Sequence, residues 1–416
     1  MVVQRIERHS IKKMDKFYKM LDEFCFNAKN LYNHANYVVR QSFVKDNKWI
    51  RYNDLDKILK QDKEYPDYRN MPTAKSAQQI LKLLDSNWKS FFASIKDYSK
   101  NKDKYLGRPK LPKYKKKDGK FILILTNQDA KVKDGILHFP KVFNGFTRKI
   151  VCINKDNFVS FQQVRFIPKY NHIEMEIVYR VNIADDKVKD NCRYLSIDLG
   201  VDNLATITNN FGEKPFIVNG KGLKSINKYY NKKVSHYQKV VKQMNNKEYS
   251  KKMDCLTVKR NRKFDDYLHK ASRYIVNYAH DNNVSTIVVG NNKNWKQDSK
   301  MSKKVNQTFV QIPFSKLIEM ITYKAEEKGI AVVVTEESYT SGTSFLDNEM
   351  PIKDNYNKSR RIHRGLFKSN TGKLINSDVN GSLQILKKVF PNAYADGVEA
   401  VVFQPFKVNF GWLIKF

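Results

Sequence analysis

Hydrophobic positions change period several times along this chain, and each change predicts a new element. Residues 1–10 alternate apolar and polar side chains as a half-buried strand does. From 11 to about 100 the spacing is helical. Within Thr73–Asp85, Ala77, Ile80 and Leu84 recur at intervals of three and four, with Pro72 at the helix start. The run from Gly107 to Gly119 carries two prolines and a train of lysines; it breaks all periodicity and reads as a linker or a contact loop. Residues 120–185 predict β-hairpins, with Phe121–Leu125 and Ile173–Val181 as strands, 169–172 as a turn, and a small barrel as the outcome.

From residue 193 the order becomes strand, strand, strand (215–218), a long helix over 256–282, a strand over 284–290, a helix from Pro313 to Gly329, and a strand over 330–336. Phe264, Leu268, Ala271, Ile275 and Ala279 fall on one stripe of the long helix. Three strands followed by alternating helices and strands is an RNase H-like order, an α/β sheet with helices on its faces. At 416 residues the chain exceeds one simple core, so the expected fold class is multidomain α+β.

Composition narrows the partners. Lys and Arg number 77 against 42 Asp and Glu, a net charge of +35. An excess that large repels itself in a compact state, and a polyanion that neutralises it, nucleic acid first, is the simplest account. No apolar run reaches the length of a membrane span, and the first residues lack the apolar core of a signal peptide. Cys25, Cys152, Cys192 and Cys255 lie far apart and form no pair, so neither a disulfide framework nor a cysteine zinc site is indicated.

The candidate chemistry lies in the second half. In Tyr194-Leu-Ser-Ile-Asp198-Leu-Gly200 a carboxylate closes a core strand. Asp378 falls in the first turn of a helix whose apolar side holds Leu383, Leu386 and Val389, and Glu336 and Glu337 end the strand beginning near 330. Hydrolysis of a phosphodiester by two hard cations needs carboxylates brought together from different elements. Turn capping and helix-end acids are the competing explanations for Asp198 and Asp378 taken singly; their joint occurrence in this element order favours the metal site. Alternation along a strand sends Glu336 and Glu337 to opposite faces, so one of the two is expected to reach the metals.

Several words of the chain then resemble one family. Ser196-Ile-Asp198-Leu-Gly200 with Asn203-Leu-Ala-Thr206, Asp266-Tyr-Leu-His-Lys-Ala-Ser272, Tyr339-Thr-Ser341 and Asp378-Val-Asn-Gly381 resemble the transposon-encoded TnpB family of RNA-guided nucleases, relatives of compact type V CRISPR effectors. Leu31-Tyr-Asn33 and the helix around Gln78–Ile80 agree more loosely. The resemblance implies a first strand at 1–10 belonging to a β-barrel wedge domain, a helical recognition domain over 11–105, the rest of the wedge over 106–190, and a RuvC-like nuclease domain over 191–341 and 374–416. Residues 342–373 become a degenerate zinc-finger-like insert that touches nucleic acid.

By that resemblance Asp198 and Asp378 are the first and third catalytic carboxylates. The second, usually a glutamate ending the fourth strand, is replaced here by Gly290 and Asn291-Asn292-Lys293-Asn294-Trp295-Lys296-Gln297. A subset of the family is rearranged in this way, with the acid supplied by Glu337, the favoured candidate, or Glu336. Two Mg²⁺ or Mn²⁺ ions are implied. Zinc is not, because the insert lacks cysteine and His363 alone cannot build a tetrahedral site. Tyr52, Lys75 and Gln79 match positions that contact a short DNA motif beside the target. Arg108, Lys110, Lys113, Lys115, Arg260, Arg262, Arg360 and Arg361 are candidate nucleic-acid contacts. The implied function is RNA-guided cleavage of DNA in a prokaryotic cytoplasm, with a guide RNA and double-stranded target DNA as partners and no membrane. The alternative is a nuclease-inactive, RNA-guided DNA-binding repressor, since one carboxylate is missing from its usual place.

Overall fold

The computed structural model describes residues 1–151, 157–183, 189–245, 249–292, 307, 310–363, 365–394 and 404–411. Cys152, the run 293–297 and Arg364 lie outside the described residues. The chain divides into two compact units, Met1–Ile183 and Ala184–Phe416.

In the first unit the alternating N-terminus is β1 (Val2–Lys12), followed by helices α1 (Tyr18–Asp46), α2 (Tyr52–Gln61) and α3 (Ala74–Lys100). Thr73 and Ser76 close a reciprocal capping box on α3, which satisfies two backbone donors and sets where that helix begins. Ala77, Ile80 and Leu84 are all buried, with Trp88 one turn on. Strands β2 (Leu123–Thr126), β3 (Lys131–Lys133), β4 (Ile136–His138), β5 (Thr147–Lys149), β6 (Phe158–Pro168) and β7 (His172–Asn182) follow. β1 pairs antiparallel with β7 along its whole length. The described strands make two sheets, β1-β7-β6-β2 and β3-β4-β5, in place of one closed ring.

The cationic run over 107–119 is a strap fastened to α1, not a free linker. Asn33 donates to the Lys115 carbonyl (3.0 Å) and accepts from its N–H (2.7 Å), Asn36 donates to the Pro112 carbonyl, and Lys29 to that of Lys117. These side chains satisfy backbone groups that a proline-broken segment cannot pair within itself.

The second unit is built on a six-stranded sheet. Its strands are β8 (Tyr194–Leu199), β9 (Asn203–Asn209), β10 (Phe216–Asn219), β11 (Thr286–Gly290), β12 (Ala331–Thr335) and β15 (Phe406–Val408), and a separate hairpin is formed by β13 (Leu366–Lys368) and β14 (Leu374–Asn376). The sheet order is β12-β11-β8-β9-β10-β15, with β12, β11 and β8 mutually parallel. Among the described residues four helices accompany it: α4 (Lys221–Asn245), α5 (Lys251–Asp281), α6 (Phe314–Glu326) and α7 (Ser377–Val389). The expected long helix is α5, and its five stripe residues are all buried. α4 has no counterpart in the apolar reading, because only one of its residues, Leu223, is a buried hydrophobic.

Strand alternation divides the two faces of this sheet. Leu195, Ile197, Ile207, Ile287 and Val289 pack with α5 and α6, whereas Tyr194 and Val288 pack with Ile385 and Leu386 of α7. Ser196 Oγ donates to the Ser382 carbonyl (2.7 Å) and lies 2.7 Å from the Thr208 hydroxyl, so a polar seam fixes α7 across β8 and β9. A seam satisfied on every side specifies one register of helix on sheet.

The turn after Asp198 rests on Gly220. A Cβ there would stand 2.3 Å from the Val201 carbonyl and 3.1 Å from the Leu204 nitrogen, both backbone atoms that cannot rotate away. Gly220→Ala is expected to destabilise the protein by about 1–3 kcal/mol, the usual cost of overpacking. Urea denaturation measures this, and an unchanged midpoint would show that the turn yields freely.

Candidate active site

Register brings the acids to one end of the sheet. Ile197 pairs with Val289 and Val289 with Val334, so the next residue on each parallel strand, Asp198, Gly290 and Thr335, closes the same row. Asp198 shares the face of Ser196, which α7 covers. Glu337 lies two residues beyond Thr335 and enters this site, whereas Glu336 is exposed. A cavity of about 600 Å³ opens here, lined among others by Asp198, Asn203, Asn292, Glu337, Arg361 and Asp378.

Each carboxylate is held by a neighbour. Asn376 caps α7 by accepting from the N–H groups of Asp378 (3.0 Å) and Val379 (3.2 Å), which places Asp378 in the first turn. The Asp378 carboxylate accepts from Asn203 Nδ2 (2.6 Å), and Arg361 reaches its other oxygen at 3.4 Å. Asn292 accepts from the Glu337 N–H (3.0 Å) and donates to Glu337 Oε2 (3.3 Å). Gly381 leaves room for Asp198: a Cβ there would stand 2.9 Å from Asp198 Oδ2.

Gly290 and Glu337 compete for one volume. A Cβ at 290 would stand 2.7 Å from both Cγ and Oε1 of Glu337 and 2.6 Å from Ile385 Cδ1. The absence of a side chain at the end of β11 is therefore what admits Glu337.

The electrostatics follow from crowding. Burial pushes the Asp198 carboxyl well above the usual range, and repulsion from Glu337 and Asp378 adds to this, with Arg361 opposing. Burial raises Glu337 to about 7. Among the described residues Glu337 Oε1 is buried without a hydrogen-bond partner. Surplus negative charge, hard oxygen donors and an orphaned oxygen fit a divalent cation of the Mg²⁺ or Mn²⁺ kind. As placed, no three His, Cys, Asp or Glu side chains among the described residues form a ready metal cage, so the acids share a cavity without closing on one point.

Between Tyr339 and α7 the described residues of 342–373 are organised around Glu349. Its carboxylate accepts from Ser344 N (2.8 Å), Arg360 (2.6 Å) and Asn370 Nδ2 (3.2 Å). Three α7 side chains, Asn380, Gln384 and Lys387, donate to the carbonyls of Thr343, Glu349 and Asn348. Their spacing of four and three puts them on one face of that helix. Phe345, Phe367 and Ile375 complete a small core with Val379 and Leu383. Arg360 is thus turned inward, while its neighbour Arg361 faces the cavity.

The other candidate residues are dispersed. Arg260 joins α5 to α4 through Asn227 (2.9 Å) and to the Gln311 carbonyl (2.7 Å), and its guanidinium lies over Phe264; this is a packing role in the described structure. Arg262 is exposed. Lys115 sits over the rings of Tyr32 and Phe121, where burial lowers its pKa, while Arg108, Lys110 and Lys113 remain exposed on the strap. Lys75 and Gln79 lie one helical turn apart on α3, followed one turn later by Lys82, whose ammonium is 5.2 Å from the Tyr52 ring. The asparagines 203, 292 and 376 were not singled out as site residues by the sequence. Asn292 was within reach of sequence reasoning, since the parallel register of β11 and β12 aligns it with Glu337.

The charge crowding predicts a measurable cost. Glu337 takes up protons more readily folded than unfolded, so its contribution weakens the metal-free protein as pH rises from about 4.5 to 7. Glu337→Gln is expected to raise the Tm of the metal-free protein at pH 8 more than at pH 5, and to reduce the Tm gain on adding Mg²⁺. Glu336→Gln should do neither. Equal responses of the two variants in a thermal-shift titration would remove Glu337 from the site.

The family described as "Probable transposase" matches residues 176–296, and the family "Cas12f1-like, TNB domain" matches residues 314–385. The TnpB-like protein ORF457 of Acidianus two-tailed virus is 24% identical over 391 residues, covering 86% of this chain and 80% of its own length. Two cryo-EM structures, titled as a Cas12f1-sgRNA-target DNA complex and a CRISPR-Cas12f ternary complex, are similar at TM-scores of 0.36 each. The first is 15% identical and covers 92% of this chain and 98% of its own; the second is 14% identical and covers 88% and 80%. With two family matches in its second half and a TnpB-like relative along most of its length, the chain is similar to the TnpB family.

Proposed function

We propose that this protein is an RNA-guided DNA endonuclease with a rearranged two-metal centre formed by Asp198, Glu337 and Asp378. The observation that carries the reading is the exchange at Gly290, whose missing side chain leaves the volume that Glu337 fills. A family position emptied of its acid and refilled by another carboxylate retains the chemistry; a decayed site has no reason to keep Asp198 and Glu337 buried at a desolvation cost.

When bound between these carboxylates, two Mg²⁺ or Mn²⁺ ions would activate water and stabilise the leaving oxygen. The chain's own residues do the rest. Asn203 and Asn292 hold Asp378 and Glu337 in fixed rotamers, so little reorganisation is needed as charge develops. Arg361, with Lys221 and Lys407 on the cavity wall, offers cations to a phosphodiester entering it.

A structured guide RNA and double-stranded DNA are the partners that the +35 charge and the family support. Base pairing would read the target while protein side chains read a short adjacent duplex motif. In this reading the helical segment over 11–105, with Tyr52, Lys75 and Gln79, serves recognition, and residues 1–10 with 106–190 form the wedge. Residues 191–341 and 374–416 form the nuclease domain, with 342–373 as its nucleic-acid-touching insert. No described helix is long and apolar enough to cross a membrane.

Purified protein is expected to carry a discrete structured RNA and to cut DNA matched to that RNA only with Mg²⁺ or Mn²⁺. Asp198→Ala and Asp378→Ala should each lower cleavage by about 10²–10³-fold or more, the scale of losing one strong electrostatic element of a site, while guided binding persists. RNA-dependent binding without cleavage by the unaltered protein would establish the repressor reading instead. Recovery of no discrete RNA would overturn both.

A further inference from the structure

Helix α4 is 25 residues long and contains seven lysines, one histidine and no acid. Other helices of the chain offset their cations locally, as Asp85 does for Lys89 on α3 and Asp266 for Lys270 on α5. Among the described residues the ion pair that α4 makes runs outside the helix, from Lys224 to Asp202 at 2.8 Å. Like charges one turn apart destabilise a helix. A helix kept in solution for solubility alone would interleave acids, as solvated faces do.

The cations are arranged in a line. Lys221, Ser225, Lys228, Lys232, Ser235, Lys239 and Lys242 recur at alternating intervals of four and three, and every one is exposed. The opposite side is docked: Leu223 and Asn227 are buried, Asn227 accepts from Arg260, Tyr230 meets Thr257 on α5, and Asn231 pairs with Gln311. The stripe runs from Lys221 to Lys242, about 32 Å at 1.5 Å per residue. Among the described residues its lysines have no acidic partner. Its first member, Lys221, lines the carboxylate cavity.

We infer that this stripe is a rail for the phosphates of the DNA strand that is cut, leading it along α4 into the cavity. The Lys and Ser side chains are phosphate donors and carry no base readout, which suits a surface that must accept any target sequence. Continuity with the cavity selects the strand being cut over the guide RNA, since whatever lies along the rail enters beside Asp198. This inference rests on the nuclease reading above and adds the path by which substrate reaches the site.

The test uses the RNA-loaded protein with Lys228, Lys232, Lys239 and Lys242 all changed to Gln; Lys221 is kept because it lines the cavity. Recovery of RNA and cleavage at saturating DNA should match the unaltered protein, while the DNA concentration for half-maximal cleavage rises at least about 10-fold. The slope of log K against log salt should fall by about 3, four contacts at about 0.7 each for a single strand. The fourfold Lys→Arg variant should restore both. A photocrosslinker at Ser235 should label the cut DNA strand. Unchanged DNA dependence and salt slope overturn the rail, and so does labelling of RNA or loss of RNA in the Gln variant. If the unaltered protein neither binds nor cuts guided DNA, the proposed function has failed instead.

Discussion

Space at the carboxyl end of β11 is the constraint on which the site depends. Asp198 and Asp378 come from the two elements that the Ser196–Thr208–Ser382 seam locks together, so their placement follows from helix–sheet packing. The third acid has no such anchor in the seam. Glu337 lies beyond the end of an edge strand and reaches the cavity only because residue 290 has no side chain and Asn292 holds both its backbone and its carboxylate. Any substituent at 290 presses on Glu337 and on Ile385 of α7 at once, which ties the acid's position to the packing that also sets Asp378.

Much of this was legible in the sequence. The row Asp198, Gly290 and Thr335 follows from three parallel strands, and alternation then separates Glu336 from Glu337 without coordinates. The stripe of α5 was readable because five apolar residues keep a helical period. What escaped reading was polar. α4 buries one hydrophobic side chain and docks largely through Asn227, Tyr230 and Asn231, which periodicity does not score. The run over 107–119 looked unstructured because its order comes from Lys29, Asn33 and Asn36, residues some eighty positions earlier. Arg260 illustrates the converse error: a cation in a basic chain is easily assigned to nucleic acid when it ties α5 to α4.

The segment over 342–373 shows the same division of labour. Glu349 gathers Ser344, Arg360 and Asn370, and α7 supplies three donors from the face opposite the sheet. One helix therefore carries Asp378 at its start, packs on β8 with one side and holds that segment with another. Arg361 owes its approach to Asp378 to that arrangement, since the adjacent Arg360 is committed to Glu349.

The central claim, that Glu337 takes the place of an acid at 290, is tested most directly by exchanging the two positions. With Ile385 trimmed to Val in every arm to relieve the second contact, guided DNA cleavage is measured for Gly290→Glu, Glu337→Gly and the double variant. Either single change should abolish cutting, one by crowding a fourth carboxylate into the site and the other by emptying it, and the double variant should recover a measurable fraction. Full activity of Gly290→Glu alone, or of Glu337→Gly alone, would contradict the account.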